Sequence, residues 1–217
     1  FFHPDTVQPV LITGKTGTLG QAFSRLCIER NLHHVLTGRE EIDICDEQQV
    51  ADAIKRYKPW AVINTAGYVH VDHAERQPER CYRENYMAAS NLAAVCSRHG
   101  IKLLSFSSDL VFGGGQQHPY VEKDRTGPLN IYGHSKRLAE KAILSHQPNA
   151  LIVRTAAFFG PWDHYHFVHA VTSALQAGAT FVASNEQVVS PTYVPHLVHA
   201  CLDLLIDDVS GIWHLVN

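Results

Sequence analysis

Val10-Leu11-Ile12-Thr13-Gly14-Lys15-Thr16-Gly17-Thr18-Leu19-Gly20 is the stretch of this chain that decides its fold class. Residues 10–13 form an apolar run of the length of a buried strand, and residues 18–30 carry Leu19, Ala22, Phe23 and Leu26 on one helical face. A glycine-rich turn joins the two. Such a strand–turn–helix lets backbone N–H groups face a pyrophosphate at the helix N-terminus, where the helix dipole favours negative charge. Side chains at the glycine positions would block that approach or the packing of helix on strand. The alternative is an ordinary glycine-rich turn; the strand before and the helix after favour a dinucleotide site.

The same alternation continues to the other end of the chain. Strands are expected at 34–37, 61–64, 102–107, 150–154 and 211–216. Helices are expected from Asp46, as cap, to Tyr57, over 78–99 up to Gly100, near 132–146, around 167–176 and over 195–206. A Gly/Pro-rich loop spans 113–128. Strands separated by helices of this length pair in parallel through right-handed crossovers. The expected fold is α/β, a doubly wound parallel sheet of Rossmann-like form with a small, truncated substrate lobe. Residues 1–155 are read as the NAD(P)-binding domain, 156–210 as the partial lobe and 211–217 as a strand returning to the sheet.

Composition narrows the function classes. The chain has 217 residues, 45% hydrophobic, which suits one α/β domain with a substantial core and excludes a disordered protein. Lys and Arg number 18 against 21 Asp and Glu, so there is no basic excess to hold a nucleic-acid backbone or an anionic membrane. No apolar run approaches the roughly 18 residues of a membrane span. Five cysteines (Cys27, Cys45, Cys81, Cys96, Cys201) form no CxxC pair, which fits a reducing, cytoplasmic setting better than a disulfide framework. No secretory signal pattern is present. The chain opens Phe1-Phe2-His3-Pro4 without Met, as expected of a piece of a larger parent chain.

Three further motifs carry chemistry. Leu36-Thr37-Gly38-Arg39 ends the second strand, where a dinucleotide fold selects its ribose: an acid for a 2′-hydroxyl, an Arg for a 2′-phosphate. Arg39 favours NADP(H); Glu40 and Glu41 follow directly and leave NAD(H) open. Asp43 and Ile44 are placed to frame the adenine. In Tyr132-Gly133-His134-Ser135-Lys136 the phenol and ammonium stand four residues apart and share a helix face. A nearby cation favours phenolate and is expected to draw the tyrosine pKa down from about 10. Such a tyrosine can protonate a carbonyl oxygen as hydride reaches the carbon. Ser105-Phe106-Ser107-Ser108-Asp109 closes the fourth strand, on the side where open α/β sheets bind ligands, and a hydroxyl there can donate to the same carbonyl. Strand-end turn chemistry is the plainer reading of that run. His164, His166 and His169, with Asp163, make a poor ligand set, and no metal site is expected.

Taken together, residues 14–20, Asn64-Thr65-Ala66-Gly67, Ser107-Ser108-Asp109-Leu110-Val111-Phe112 and Tyr132–Lys136 resemble an extended short-chain dehydrogenase/reductase. Val71-Asp72-His73-Ala74-Glu75, Asn85-Tyr86, residues 128–136, Arg154-Thr155, and Glu186-Gln187 ahead of Pro191-Thr192 narrow the resemblance to the dTDP-4-dehydrorhamnose reductase family. That resemblance implies an NAD(P)H-dependent reduction of the 4-keto group of a nucleotide-linked deoxysugar. It implies Tyr132 as proton donor, Lys136 on the nicotinamide ribose, Ser108 polarising the carbonyl and Asp109 as a secondary polar group; Ser108, Asp109 and Tyr132 would also hold the substrate. It puts Gly14, Thr16, Gly17, Thr18, Leu19 and Gly20 along the pyrophosphate, Arg39, Asp43 and Ile44 at the adenosine, and Ala66, Gly67 and Tyr68 at the nicotinamide side. It also suggests a homodimer. Three departures stand against it: Leu110 where the family carries Tyr, Ala156-Ala157 where it carries Ser-Trp, and a chain that stops at Val216-Asn217. A missing ring removes on the order of 1 kcal/mol of stacking, so the substrate is expected to differ. Two other readings compete: a non-catalytic NADP-binding regulatory module, and a sugar-nucleotide epimerase or dehydratase built on the same residues.

Overall fold

The structure, a computed structural model, describes residues 7–161, 166–184 and 188–217. In chain order the elements are β1 (Val10–Thr13), α1 (Thr18–Glu29), β2 (His34–Thr37), α2 (Glu47–Tyr57), β3 (Ala61–Asn64), α3 (Val71–Ala74), α4 (Pro78–Tyr82), α5 (Ala88–His99), β4 (Lys102–Ser108), α6 (Ile131–His146), β5 (Leu151–Thr155), β6 (Phe158–Phe159), α7 (Phe167–Gln176), β7 (Thr192–Tyr193), α8 (Val194–Ile206) and β8 (Gly211–His214). Six strands pair in the order β2-β1-β3-β4-β5-β8, every pair parallel. The chain winds outward in one direction through β2 and in the other through β3. The carboxyl ends of β1 and β3 therefore flank the topological switch point, where open α/β sheets take their ligands.

Alternation along each strand explains why the sheet is covered on both sides. Successive side chains point to opposite faces. Leu11, Val62, Leu103 and Ile152 pack into one apolar cluster with Val50 of α2, Leu92 of α5 and Ile143 of α6. Val10, Ile12, Ile63, Leu104, Leu151 and Val153 pack into the other with Phe23 and Leu26 of α1 and Val198 and Leu202 of α8. The local signals behave as the sequence implies. Asp46 accepts from the backbone N–H groups of Gln48 and Gln49 at the start of α2, and Gly100 ends α5 in the left-handed region at φ +65°.

The structure departs from the sequence reading in three places. The single helix expected over 78–99 is broken by a π turn at Arg83–Met87, between α4 and α5. Helix α8, which falls within the 156–210 range read as the lobe, packs on α1 within the second cluster and is tied to it by Arg30, bonded to both Asp203 and His199. The apolar face of α8 makes it part of the sheet's cover. Finally, Ile44, expected at the adenosine, lies in the first apolar cluster, 8% exposed, so most of its side chain serves the core. The chain leaves β5 for the lobe through Ala157, whose φ of +39° is strained for a residue with a Cβ.

Candidate active site

The glycine turn is built by two close approaches and one opening. Gly14 sits at φ +88°, and a Cβ there would lie 2.5 Å from Thr65 Oγ1, which itself donates to the Thr13 carbonyl at 2.5 Å. A Cβ at Gly20 would run into the Gly14 carbonyl, so α1 seats directly on the turn. Gly17 differs. A Cβ there would meet only the Gly14 oxygen at 3.4 Å, and Gly17 is the N-cap of α1 with no side-chain cap. The first N–H groups of α1 lack intrahelical acceptors by geometry and open past Gly17 and Thr16, both exposed. Backbone donors at an uncapped, unobstructed helix start fit a pyrophosphate. Thr18 begins the helix at this opening, half-buried, while the Leu19 side chain turns into the core, so Leu19 can contribute only backbone to the site.

At the end of β2, Arg39 extends outward, its side chain 61% exposed, and pairs with Glu84 of the π turn at 3.0 Å. Arg80 of α4 holds the same carboxylate at 2.9 Å. Burial pushes the Glu84 carboxyl up, but the hydrogen bonds from Arg80 and Arg39 outweigh it and hold the group below its ordinary value. Asp43 accepts from the Cys45 N–H at 3.0 Å and faces Arg83 at 3.4 Å. Lys15, which the sequence reading passed over, reaches Glu41 at 2.6 Å across Gly38.

Across the switch point, Asn64 joins three strand ends. It accepts from Thr13 Oγ1 at 2.9 Å and from the Ala66 N–H at 3.2 Å, and donates to Ser105 Oγ at 3.3 Å. Ala66 and Gly67 follow it on the ligand side of the sheet. A Cβ on Gly67 would lie 2.7 Å from Asn85 Oδ1 and 3.5 Å from Lys136 Nζ, which places Lys136 directly beneath this loop. Tyr68 is nearly fully buried against Ala74, Cys81, Ile131 and Tyr132. Its ring therefore packs behind Tyr132.

The second half of the site forms where α6 meets β4. Ser108 ends β4; its hydroxyl donates to Asp109 at 2.8 Å and accepts from the Leu110 N–H at 3.2 Å. The turn Asp109–Val111 presses its Leu110 carbonyl against Gly133, where any Cβ would collide with it. Glycine at position 133 thus brings the start of α6 against the end of β4, close enough for Ser108 to act on the Tyr132 phenol. Asn130 caps α6 by accepting from the Gly133 N–H at 2.7 Å. Lys136, one turn further, donates to the Phe106 carbonyl at 3.3 Å and stands 5.7 Å from the centre of the Tyr132 ring.

The electrostatics correct one expectation. Burial raises the Tyr132 phenol well above its usual value, Asp109 and Cys81 add to the shift, and the Ser108 hydrogen bond opposes it. Lys136 does not draw the phenol down. It stands over the ring, 5.7 Å from its centre, and burial brings its own pKa from 10.5 to about 8 despite Cys81 and Glu140 nearby. Tyr132 is accordingly a protonated phenol at neutral pH.

Two supports of α6 escaped the sequence reading. Asn85, set into the π turn, accepts from the Tyr68 N–H at 2.8 Å and donates to Ser135 Oγ at 3.0 Å, tying the loop after β3 to the turn between Tyr132 and Lys136. The insertion that turns Asn85 inward has no signature in periodicity. Glu140, 4% exposed, takes a fork from Arg154 at 2.7 and 2.8 Å and accepts from Ser107 Oγ at 2.6 Å. An arginine inside an otherwise apolar strand was the available signal, since a buried guanidinium demands a carboxylate.

Of the remaining motif positions, Ala157 is exposed and puts no ring over the site. His166 caps α7 by accepting from the His169 N–H at 3.0 Å. Asp163, His164, Glu186 and Gln187 lie outside the described residues, among which no group of three metal-ligating side chains occurs.

Comparison with known proteins agrees with this geometry. Residues 8–217 match the family model described as the RmlD substrate binding domain. The dTDP-4-dehydrorhamnose reductase of Mycolicibacterium smegmatis is 35% identical over 214 residues, 97% of this chain and 64% of the relative's length. The reductase of the same name from Streptomyces griseus is 37% identical over 95% of this chain and 70% of its own. The crystal structure of the Bacillus anthracis dTDP-4-dehydrorhamnose reductase in complex with NADP superposes with a TM-score of 0.93 at 28% identity, over 97% of this chain and 74% of that one. The chain thus spans about two thirds to three quarters of these relatives, and the switch-point cleft, the match to the family model and the identity to its reductases together show that it belongs to the dTDP-4-dehydrorhamnose reductase family.

Proposed function

We propose that this chain is an NAD(P)H-dependent reductase of the 4-keto group of a nucleotide-linked deoxysugar, with Tyr132 as proton donor. One observation carries the reading: Ser108 and Tyr132, with Lys136 beside the Tyr132 ring, stand together at the carboxyl end of β4, on the same side of the sheet as the glycine cradle. The relatives' names supply the substrate class and the NADP complex of the Bacillus anthracis enzyme supplies the cofactor class. Arg39 and Lys15 at the end of β2 suit NADP(H), with NAD(H) as the second cofactor.

The roles follow from the chemistry of the residues. The reduced nicotinamide, when bound, supplies hydride to the carbonyl carbon. Ser108 donates a hydrogen bond to the carbonyl oxygen and shares its developing charge. Tyr132 then gives its phenol proton to that oxygen. A raised phenol pKa suits this step: the proton stays on Tyr132 until an alkoxide, which is more basic, forms beside it. Lys136, mostly ammonium at pH 7 with a pKa of about 8, offers its protons to the ribose hydroxyls of the cofactor.

The test is a titration with NADPH and NADH followed by nicotinamide fluorescence, with a dTDP-4-keto-6-deoxysugar then added to the same cuvette. Oxidation of the bound cofactor is expected. Tyr132→Phe is expected to lower turnover by about 10²–10⁴-fold, the usual worth of a general acid, while nucleotide affinity stays within about twofold. Turnover comparable to wild type in that variant would remove Tyr132 as donor. Binding with no oxidation in the wild type would instead favour the non-catalytic module.

A further inference from the structure

We infer that Glu41 sets how far this chain prefers NADPH over NADH, because its carboxylate occupies the donors that a 2′-phosphate would use. The inference rests on the dinucleotide reading of the cleft. In this fold the adenosine ribose lies at the carboxyl end of the second strand, beside the glycine turn. Here that corner consists of Gly38, Arg39 and Lys15, whose backbone N–H donates to the Thr37 carbonyl at 3.0 Å and so holds the turn against the strand end.

Both cations of this corner are already paired. Arg39 is held by Glu84 at 3.0 Å, and Lys15 by Glu41 at 2.6 Å. Glu41 does more than pair with Lys15. One of its oxygens faces Lys15 Nζ while the other accepts from the Gly38 N–H at 2.8 Å. A tight turn fixes it there, with the N–H groups of Glu41 and Ile42 both donating to the Gly38 carbonyl at 3.2 and 3.0 Å. Gly38 leaves room for this arrangement: a Cβ at that position would stand 3.2 Å from Glu41 Oε2 and 3.4 Å from Lys15 Cβ. The hydrogen bond from Lys15 and the one from Gly38 keep the carboxyl below its ordinary value, so it is ionised throughout the working range.

A carboxylate placed this way meets the two cofactors differently. A ribose with a free 2′-hydroxyl can donate to it and leave the Lys15 pair intact. A 2′-phosphate carries the same sign of charge and needs the same donors, so it must displace Glu41 before Lys15 and the Gly38 N–H can reach it. Glu40, the neighbouring carboxylate, is exposed and has no hydrogen bond to Gly38 in the structure. It therefore serves as a control of equal charge change.

The experiment measures Kd for NADPH and NADH by nicotinamide fluorescence on the full chain and on Glu41→Gln, Glu40→Gln and Lys15→Met. Glu41→Gln is expected to tighten NADPH about 5–20-fold and to leave NADH unchanged or weaker, with the difference shrinking as salt is raised. Glu40→Gln is expected to move the NADH-to-NADPH ratio less than about twofold, and Lys15→Met to weaken NADPH about tenfold with little change in NADH. An unmoved ratio in Glu41→Gln, or an equal shift in Glu40→Gln, overturns the inference while leaving the cleft a dinucleotide site. Failure of the wild-type chain to bind either nucleotide overturns the dinucleotide reading and this inference with it.

Discussion

The sheet with its helices and the lobe between β5 and α8 are made of similarly apolar sequence, yet only one of them buries it. Along β1, β3 and β5 every residue is buried. In α7 none is, although Phe167, Val168 and Leu175 are all there to be covered. Leu175 is 65% exposed, Val182 88% and Val188 fully so. Burial of apolar area is the main favourable term in folding. The fold therefore stands on the sheet and its covering helices, α8 included, and the lobe adds little to it. What separates the regions is partners: the inner strands β1, β3, β4 and β5 have a helix layer on both faces, whereas among the described residues α7 lies against little besides the β6 strand.

Three substitutions sharpen or break that contrast. The largest effect is expected from Arg154→Met at the end of β5. It strips the guanidinium fork from Glu140 and leaves an uncompensated carboxylate in the sheet's cover, which costs about 3–5 kcal/mol. Denaturant unfolding would show it, and a loss no larger than that of a lobe substitution would end the claim that stability resides in the sheet. Lys136→Met comes next and is read through pH. With a folded pKa of about 8 against an unfolded 10.5, the buried ammonium disfavours the folded state below pH 8. As pH rises from 8 to 10.5 the unfolded chain still binds the proton that the folded chain has released, so wild-type stability rises across that window relative to the variant. The Met variant should be the more stable chain at pH 7, and its advantage should narrow by roughly 1–3 kcal/mol by pH 10.5. A constant gap would mean that Lys136 is not buried as a cation. The smallest effect is expected from Leu175→Ser in α7, within about 0.5 kcal/mol of wild type, and a loss of more than about 2 kcal/mol would show that α7 is covered in solution.

Much of the site is legible in the sequence because its parts are local. The glycine turn, the Ser108–Asp109 strand end and the i, i+4 relation of Tyr132 and Lys136 each lie within one short segment, where spacing and secondary structure fix which groups share a side. The direction of the tyrosine pKa was not legible. It depends on burial and on Cys81 of α4 as well as the Ser108–Asp109 strand end, two segments far apart in the chain. The burial of Ile44 was not legible either, because Asp43-Ile44 reads as an exposed loop pair until α2 and α5 close over it. Glu41 looked like a spare acid after Arg39; only the turn at Gly38 shows that it grips Lys15 from the neighbouring strand's loop.

The order of the six main strands and their covering helices, the parallel winding and the position of the ligand end are written in consecutive residues, through apolar periodicity and glycine placement. Tertiary structure alone decided which charges neutralise one another, where α8 belongs and why position 133 must be glycine. These depend on groups from distant parts of the chain meeting within a few ångströms, and no spacing along the sequence encodes that meeting.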